Sequence, residues 1–188
     1  MALNHPITTV TEFEAFIQRP ENSEKVFEFI SGEIVEVPTN HTASKVAARI
    51  LLLIGMYLLK NDIGHLSGAD HGFDVIADER YAPDVGYISY ETMPQSSSEW
   101  FTPHPPELAV EVVSADHADE NKKLSIKVSN YLAAVTVVWV VRHIERHIEV
   151  HAPGQPVNIL RSGDTLGGAE VLPGLSINVD DIFAVIKE

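Results

Sequence analysis

Apolar and polar positions follow two different periods along this chain, and the period separates predicted helices from predicted strands. The longest helical pattern covers residues 42–59, where apolar side chains recur every three or four positions. A shorter helix is predicted to begin at the capping-box residues Thr9 and Glu12. Two more helical segments are predicted over residues 120–134 and 179–185.

A period of two predicts a β-hairpin near the N-terminus, with strands over residues 26–30 and 33–37 joined by the turn-forming pair Ser31-Gly32. Further strands are predicted over residues 72–77, 85–89 and 108–113. Residues 137–141 are apolar at every position, which is typical of a central strand buried on both faces. The C-terminal positions beyond them predict small edge strands. The order of these elements predicts an α/β fold.

The length and composition of the chain favour one globular domain. Because 45% of its 188 residues are hydrophobic, we expect a single domain over residues 1–188 with its own core. No apolar stretch is long enough to cross a membrane. The chain contains no cysteine, which excludes disulfides and a thiol nucleophile. The N-terminus lacks the pattern of a secretion signal, so we expect a cytoplasmic protein.

The formal net charge of −14 bears on the choice of partner. This charge has the wrong sign for a protein that grips phosphates over a broad surface, so it argues against tight, non-specific binding of DNA. Lys122, Lys123 and Lys127 form the only dense group of lysines in the sequence. A local basic groove therefore remains possible only near these positions.

Two carboxylates lie inside otherwise apolar strand segments. Asp84 lies in the strand-like segment 81–88, directly before the strand predicted over residues 85–89, and valines surround Glu111 in the strand predicted over residues 108–113. A carboxylate in such a strand is costly to bury without a partner. If the two strands are neighbours, about 5 Å separates them, and both side chains can reach one divalent cation. We therefore predict a metal site that contains Asp84 and Glu111.

A site of this kind also needs a cationic side chain that stabilises developing negative charge. Val113 occupies the next strand position on the face of Glu111, so the lysine must come from another element. Lys127 is the candidate, because it lies within the predicted helix 120–134 among apolar neighbours. The lysines near the start of that helix are typical of a solvated face.

At these positions the chain resembles the Uma-two family, a group of restriction-endonuclease-like domains common in cyanobacteria. Matching motifs include Ser-Gly-Glu-Ile-Val-Glu-Val-Pro at residues 31–38, Ala-Pro-Asp-Val-Gly-Tyr-Ile at residues 82–88 and Pro-Glu-Leu-Ala-Val-Glu-Val-Val-Ser at residues 106–114. Further matches cover residues 11–16, 127–134, 138–141 and 171–175. The order and spacing of the motifs carry the resemblance, since none is specific alone.

The resemblance implies a PD-(D/E)xK-type fold, in which helices flank a central mixed sheet. It implies that Asp84 and Glu111 bind Mg²⁺ or Mn²⁺, and that the site lysine has moved to the following helix, at Lys127. It also suggests two further catalytic candidates: Glu36, where related nucleases often place an additional acid, and His41 at the start of the long helix.

The sequence departs from the family pattern after the second acid. The usual Ser-Pro-Ser is Ser114-Ala115-Asp116 here, and the segment before the helix is about two residues longer than in close relatives. This difference shifts the register of the helix, so Lys123 is an alternative to Lys127 as the site lysine.

Each candidate also has an ordinary structural interpretation. Asp84 can be a residue that begins a strand, and Glu111 and Lys127 can form a structural ion pair. Glu36 can lie on the solvent face of the hairpin, and His41 can be a residue that merely begins a helix.

We hypothesise that the protein is a metal-dependent phosphodiesterase that acts on nucleic acid, with DNA favoured over RNA. The backbone carbonyl of Val112 would complete the shell of the ion held by Asp84 and Glu111. Two alternatives are a catalytically silent binding module and a hydrolase of a small phosphorylated molecule. A homodimer is also expected, with residues 137–141 and the edge strands as its seam.

Overall fold

Local capping interactions set where the helices begin. The computed structural model describes residues 9–37, 40–114 and 117–186. In the first helix, Thr9 and Glu12 form the predicted capping box, because each main-chain N–H donates to the other side chain. Asn40 caps the long helix by accepting a hydrogen bond of 2.9 Å from the N–H of Ala43. The helices are α1 (Val10–Ile17), α2 (His41–Leu58), α3 (Ala118–Ala133) and α4 (Val179–Phe183), with a 3₁₀ turn at Pro20–Asn22.

These bounds confirm the four predicted helices, with small differences at their ends. The long helix begins and ends one residue earlier than predicted, and α3 begins two residues earlier. The predicted segment 179–185 is helical only as far as Phe183.

Thirteen short strands lie among the described residues. They are β1 (Phe27–Ile30), β2 (Glu33–Glu36), β3 (Gly64–Gly68), β4 (Gly72–Asp74), β5 (Arg80–Tyr81), β6 (Val85–Ser89), β7 (Phe101–Thr102), β8 (Leu108–Val112), β9 (Val137–Arg142), β10 (His147–His151), β11 (Asn158–Leu160), β12 (Thr165–Gly168) and β13 (Leu172–Asn178). The predicted hairpin is confirmed as β1 and β2, and its turn places Ser31 and Gly32 at φ of 50° and 82°.

Two predictions about strands need correction. The strand predicted over residues 72–77 ends at Asp74, because the chain then turns and the N–H of Val75 donates to the carbonyl of Glu79. Strand β3 was not predicted, since Gly64 has the pattern of a helix stop. A Cβ at Gly64 would lie 2.4 Å from the carbonyl oxygen of Ile88, so this glycine permits close pairing with β6.

The main sheet has six strands in the order β11-β10-β9-β8-β6-β3. Strands β8 and β9 are parallel and the other pairs are antiparallel, which makes the sheet mixed, as the resemblance implies. Of the predicted C-terminal edge strands, β11 lies at an edge of this sheet, whereas β10 lies between β9 and β11 and β12 and β13 form a separate two-stranded ribbon.

Strand β9 confirms the central strand predicted from its apolar run. Every residue from Val137 to Val141 is at most 7% exposed. The suggestion that this strand supplies a dimer seam is therefore wrong, because the strand lies between β8 and β10 and both of its faces are covered.

Different helices cover the two faces of the main sheet. Helices α2 and α4 and strand β13 pack on one face. Helix α3 lies against the other face, which also meets the five-stranded sheet of order β2-β1-β5-β4-β7. The hairpin and α3 therefore face the same side of β8, where the candidate site lies. None of the described helices combines the length and apolar character that a membrane span needs.

Candidate active site

The register of two strands brings Asp84 and Glu111 together. Strands β6 and β8 are antiparallel neighbours that pair Val85 with Val110, so Asp84, one residue before β6, comes opposite Glu111. Residues opposite each other in such a pair share a face of the sheet. The Asp84 carboxylate also accepts a 2.7 Å hydrogen bond from the N–H of Val112. The expected neighbouring strands are thus confirmed.

Lys127 points from α3 into this region. Its ammonium nitrogen lies 2.7 Å from both carboxylate oxygens of Glu111, and the residue is only 6% exposed. Lys123, the alternative, lies one helical turn earlier and pairs instead with Asp119 at 3.2 Å. Lys127 is therefore the lysine that contacts the predicted acid. Ala115 and Asp116, where the sequence departs from the family pattern, lie outside the described residues.

The structure adds a third acid that the sequence interpretation missed. Glu28 lies on β1 and is 5% exposed. Its Oε1 accepts hydrogen bonds of 2.7 Å from Lys127 Nζ and 2.8 Å from the N–H of Ala82. Phe27 and Phe29 flank Glu28, so it too is a carboxylate within an apolar strand. The criterion that selected Glu111 could have found it.

Glu36 and His41 lie apart from this cluster. Glu36 lines the same cavity, but its half-exposed carboxylate pairs with Lys25 at 3.2 Å. His41 is the exposed first residue of α2. No hydrogen bond or ion pair between described residues joins either side chain to Asp84, Glu111 or Lys127.

Two buried tyrosines contact the charged groups of the cluster. Tyr131, one helical turn after Lys127, donates a 3.1 Å hydrogen bond to Glu111 Oε1. The ring of Tyr81 lies 5.5 Å from Lys127 Nζ and meets the Tyr131 ring edge-on at 5.3 Å. Both tyrosines are completely buried.

Burial changes the proton affinity of the two strand acids. Desolvation raises the pKa of Asp84 to about 6, against the hydrogen bond from Val112 and the charge of Lys127, which lower it. Desolvation also raises the pKa of Glu111 to about 7, with Lys127 opposing this shift and Glu28 adding to it. Burial therefore disfavours the ionised forms of both carboxylates, and the positive charge of Lys127 only partly offsets this effect.

Lys127 stays protonated in these surroundings. Desolvation acts to lower its pKa, but the carboxylates of Glu111 and Glu28 outweigh this effect, and the pKa lies above its ordinary value. The site thus contains one permanent cation among three acids.

The charged groups border a cavity of about 260 Å³. Its described lining includes six acids and two lysines, which are Glu28, Glu36, Asp84, Glu111, Asp119, Glu120, Lys123 and Lys127. The excess of acids favours a bound cation and disfavours a phosphate group that binds without one.

The donor atoms of this region fit a hard divalent cation. The described residues contain no group of three or more His, Asp or Glu side chains arranged for a metal ion. The candidate donors are two carboxylates and one main-chain carbonyl, and oxygen ligands of this kind suit Mg²⁺. Asp84 accepts only one hydrogen bond from the described residues, so its carboxylate retains capacity for a ligand.

A mixed sheet with helices on both faces, in which one acid precedes β6, a second lies on β8 and a lysine lies on the following helix, has the restriction-endonuclease-like fold. A crystal structure from Anabaena variabilis, described as "a putative nuclease belonging to DUF820", has the same fold. The match has a TM-score of 0.80 at 18% sequence identity and covers 95% of this chain and 98% of that one.

The chain belongs to the Uma2 family, since the family model described as "Putative restriction endonuclease" matches residues 13–180. The resemblance inferred from the sequence motifs is thereby confirmed. Comparison with curated proteins gives no match.

Proposed function

We propose that this protein is a nuclease that hydrolyses phosphodiester bonds with Mg²⁺ or Mn²⁺. The observation that carries the proposal is the position of Lys127, whose ammonium lies 2.7 Å from Glu111 and from Glu28 at the wall of an acidic cavity. A buried lysine among acids, next to an acid with spare ligand capacity, suits the chemistry of phosphate cleavage. Membership of the Uma2 family, whose model is described as "Putative restriction endonuclease", supports the same conclusion.

The carboxylates of Asp84 and Glu111 and the main-chain carbonyl of Val112 would hold the ion. A strand residue directs its N–H and C=O toward the same neighbouring strand. The N–H of Val112 donates to Asp84, so its carbonyl faces the Asp84 side of β8. When bound, the ion would neutralise charge on the scissile phosphate and lower the pKa of a coordinated water.

Lys127 would stabilise the charge that develops on the phosphate. An ammonium group has three N–H donors. Glu28 and Glu111 accept hydrogen bonds from two of them, and the third would turn from Glu111 Oε1, which lies 2.7 Å away, to a phosphate oxygen or to the attacking water. Glu28 fixes the lysine from the side of the hairpin, and its second hydrogen bond, from Ala82, ties it to the segment that precedes Asp84.

The test is metal-dependent cleavage by the purified protein. Single- and double-stranded DNA and RNA are incubated with Mn²⁺, with Mg²⁺ and with chelator, beside an Asp84→Ala variant. We expect cleavage that requires the metal and the intact Asp84, with DNA cut faster than RNA. Wild-type protein that cleaves none of these substrates and shows no Mn²⁺ binding by calorimetry contradicts the proposal.

A small phosphorylated substrate is a second candidate, and the acidic lining of the cavity favours it. Six acids near the site oppose the approach of a long polyanion more than that of a single phosphate group. Hydrolysis of a generic phosphodiester such as bis-p-nitrophenyl phosphate, without cleavage of any nucleic acid, is the result expected for this alternative.

A catalytically silent binding module is the third candidate. The ion pairs of Lys127 with Glu28 and Glu111 could serve stability alone, and the described residues lack a cluster of three metal-ligating side chains. A melting temperature that does not respond to Mn²⁺ in the wild-type protein favours the module.

We also propose that the protein acts in the cytoplasm as a homodimer, as nucleases that cut both strands often do. Since β9 is covered on both faces, the seam would involve the sheet edges at β3 or β11. Sedimentation analysis of the purified chain tests this: a dimer mass supports it and a monomer mass at all concentrations contradicts it.

A further inference from the structure

Tyr131 contacts the candidate metal ligand Glu111 from a position closed to solvent. The residue is 0% exposed, and its hydroxyl donates to Glu111 Oε1 at 3.1 Å. An ionised carboxylate only accepts hydrogen bonds, so the hydroxyl of Tyr131 is the donor in this contact.

The tyrosine makes the two oxygens of Glu111 different. Lys127 Nζ lies 2.7 Å from both oxygens, whereas the hydroxyl of Tyr131 reaches Oε1 alone. Lys127 and Tyr131 are four residues apart on α3, so they lie on the same face of the helix. With Lys127 alone, the plane of the carboxylate could tilt about its terminal bond while the ammonium stayed in contact with both oxygens. The hydroxyl on one side opposes that tilt.

The ring that carries this hydroxyl is itself held in place. It meets the ring of Tyr81 edge-on, with 5.3 Å between centroids. Both rings belong to the core cluster on the α3 face of the main sheet. The hydroxyl of Tyr131 therefore occupies a fixed position relative to β8.

We propose that Tyr131 is a positioning residue, which fixes the orientation in which Glu111 presents its carboxylate to a divalent cation shared with Asp84. This inference rests on the proposed function, because it requires that Glu111 bind the ion. Groups that orient a metal-binding side chain typically change metal affinity by about 10- to 100-fold when removed.

The test compares Mn²⁺ affinity in three proteins by calorimetry. Tyr131→Phe removes only the hydroxyl. The control is Tyr87→Phe, which removes a hydroxyl from an equally buried tyrosine that donates to the carbonyl of Ile63 on the other face of the sheet. We expect Tyr131→Phe to raise the Kd for Mn²⁺ at least about tenfold and Tyr87→Phe to leave it within about twofold. Unchanged Mn²⁺ affinity in folded Tyr131→Phe overturns the inference.

A kinetic measurement separates positioning from general stability. In Tyr131→Phe, the Mn²⁺ concentration for half-maximal cleavage should rise about tenfold, while the KM for nucleic acid stays the same. A rise in the KM for nucleic acid with no change in metal requirement contradicts the assignment.

The wild-type protein supplies an independent test if the variant does not fold. Tyrosines labelled with ¹³C at Cζ are followed by NMR during addition of Mg²⁺. We expect the Tyr131 signal to shift as Glu111 binds the ion and the Tyr87 signal to stay in place. A Tyr131 signal that does not respond, in protein that binds Mg²⁺, overturns the inference and leaves the proposed function intact. Wild-type protein that binds neither ion overturns the proposed function, and the inference with it.

Discussion

Lys127 Nζ lies 2.7 Å from Glu28 Oε1, although 99 positions separate the two residues in the chain. The contact joins α3 to the N-terminal hairpin across the face of the main sheet. The same ammonium group bonds Glu111 on β8, so three elements meet at one atom, and β1 is distant in sequence from the other two. The stability of the fold and the integrity of the candidate site are therefore linked.

Replacement of this lysine should destabilise the protein strongly. Lys127→Met leaves Glu28 and Glu111 buried without their cation, and loss of one partner from a buried ion pair costs about 3–5 kcal/mol. The control is Lys123→Met on the same helix, whose partner Asp119 is 73% exposed. That change should cost less than about 1 kcal/mol. Urea unfolding measures both values, and equal losses in the two variants would contradict the buried cluster.

Asp84→Asn should remove the response to metal while the fold is retained. The amide has almost the same shape, and its oxygen can still accept the hydrogen bond from Val112. In wild-type protein, a Mn²⁺ concentration of 100 times the Kd should add about 2.7 kcal/mol to the free energy of unfolding. We expect no such gain in Asp84→Asn. Asp119→Asn, at an exposed lining position of the cavity, is the matched control and should respond as the wild type does.

The raised pKa of Asp84 predicts a specific dependence of stability on pH. The ordinary pKa of the carboxyl is 3.8, and burial raises it to about 6 in the fold. Between these values the folded protein holds a proton that the unfolded chain has released. The contribution of Asp84 to stability is therefore complete below pH 4 and is lost as pH rises toward 6. Glu111 acts in the same direction, up to a pH of about 7.

The measurement is the difference in unfolding free energy between wild type and Asp84→Asn from pH 4 to pH 8, without metal. The wild type should lose stability relative to the variant by on the order of 3 kcal/mol, most of it before pH 6. The difference cancels the titration of acids that do not interact with Asp84. A wild type that gains stability over this range relative to the variant would show that the pKa of Asp84 is lowered in the fold.

Local patterns in the sequence were enough to predict that Asp84, Glu111 and Lys127 lie close together in the fold. Asp84 and Glu111 are polar residues in short apolar strands, and the strands that carry them are nearest neighbours. Lys127 could be chosen over its neighbours because α3 has a defined buried face. In each case, the burial of the strand or helix sets the environment of the residue. The sequence gives the position of the residue within that strand or helix.

The contact between the hairpin and Lys127 could not be predicted in this way, although the apolar neighbours of Glu28 are visible in the sequence. The alternation of Phe27, Glu28 and Phe29 is also typical of a strand with one solvated face. In the structure β1 is buried on both faces, because Phe27 and Phe29 pack against α1 and α3 approaches Glu28. That contact depends on how two sheets and a helix pack, and no local period encodes it. The motif resemblance drew attention to Glu36 instead, which belongs to the outer strand of the same hairpin.

Glu28 and Glu36 therefore offer a direct comparison between two acids of one hairpin. We expect Glu28→Gln to lower cleavage at least about tenfold, because the neutral amide no longer holds the charge of Lys127 in place. It should also cost about 1–3 kcal/mol of stability through the weakened hydrogen bond to the lysine. Glu36→Gln removes only a half-exposed pair with Lys25 and should change cleavage by less than about threefold. Initial cleavage rates at saturating Mn²⁺ and urea unfolding of the same samples measure the effects of both substitutions. A larger loss of cleavage in Glu36→Gln would assign the additional acid to the outer strand, as the resemblance suggests, and would leave Glu28 with a purely structural role.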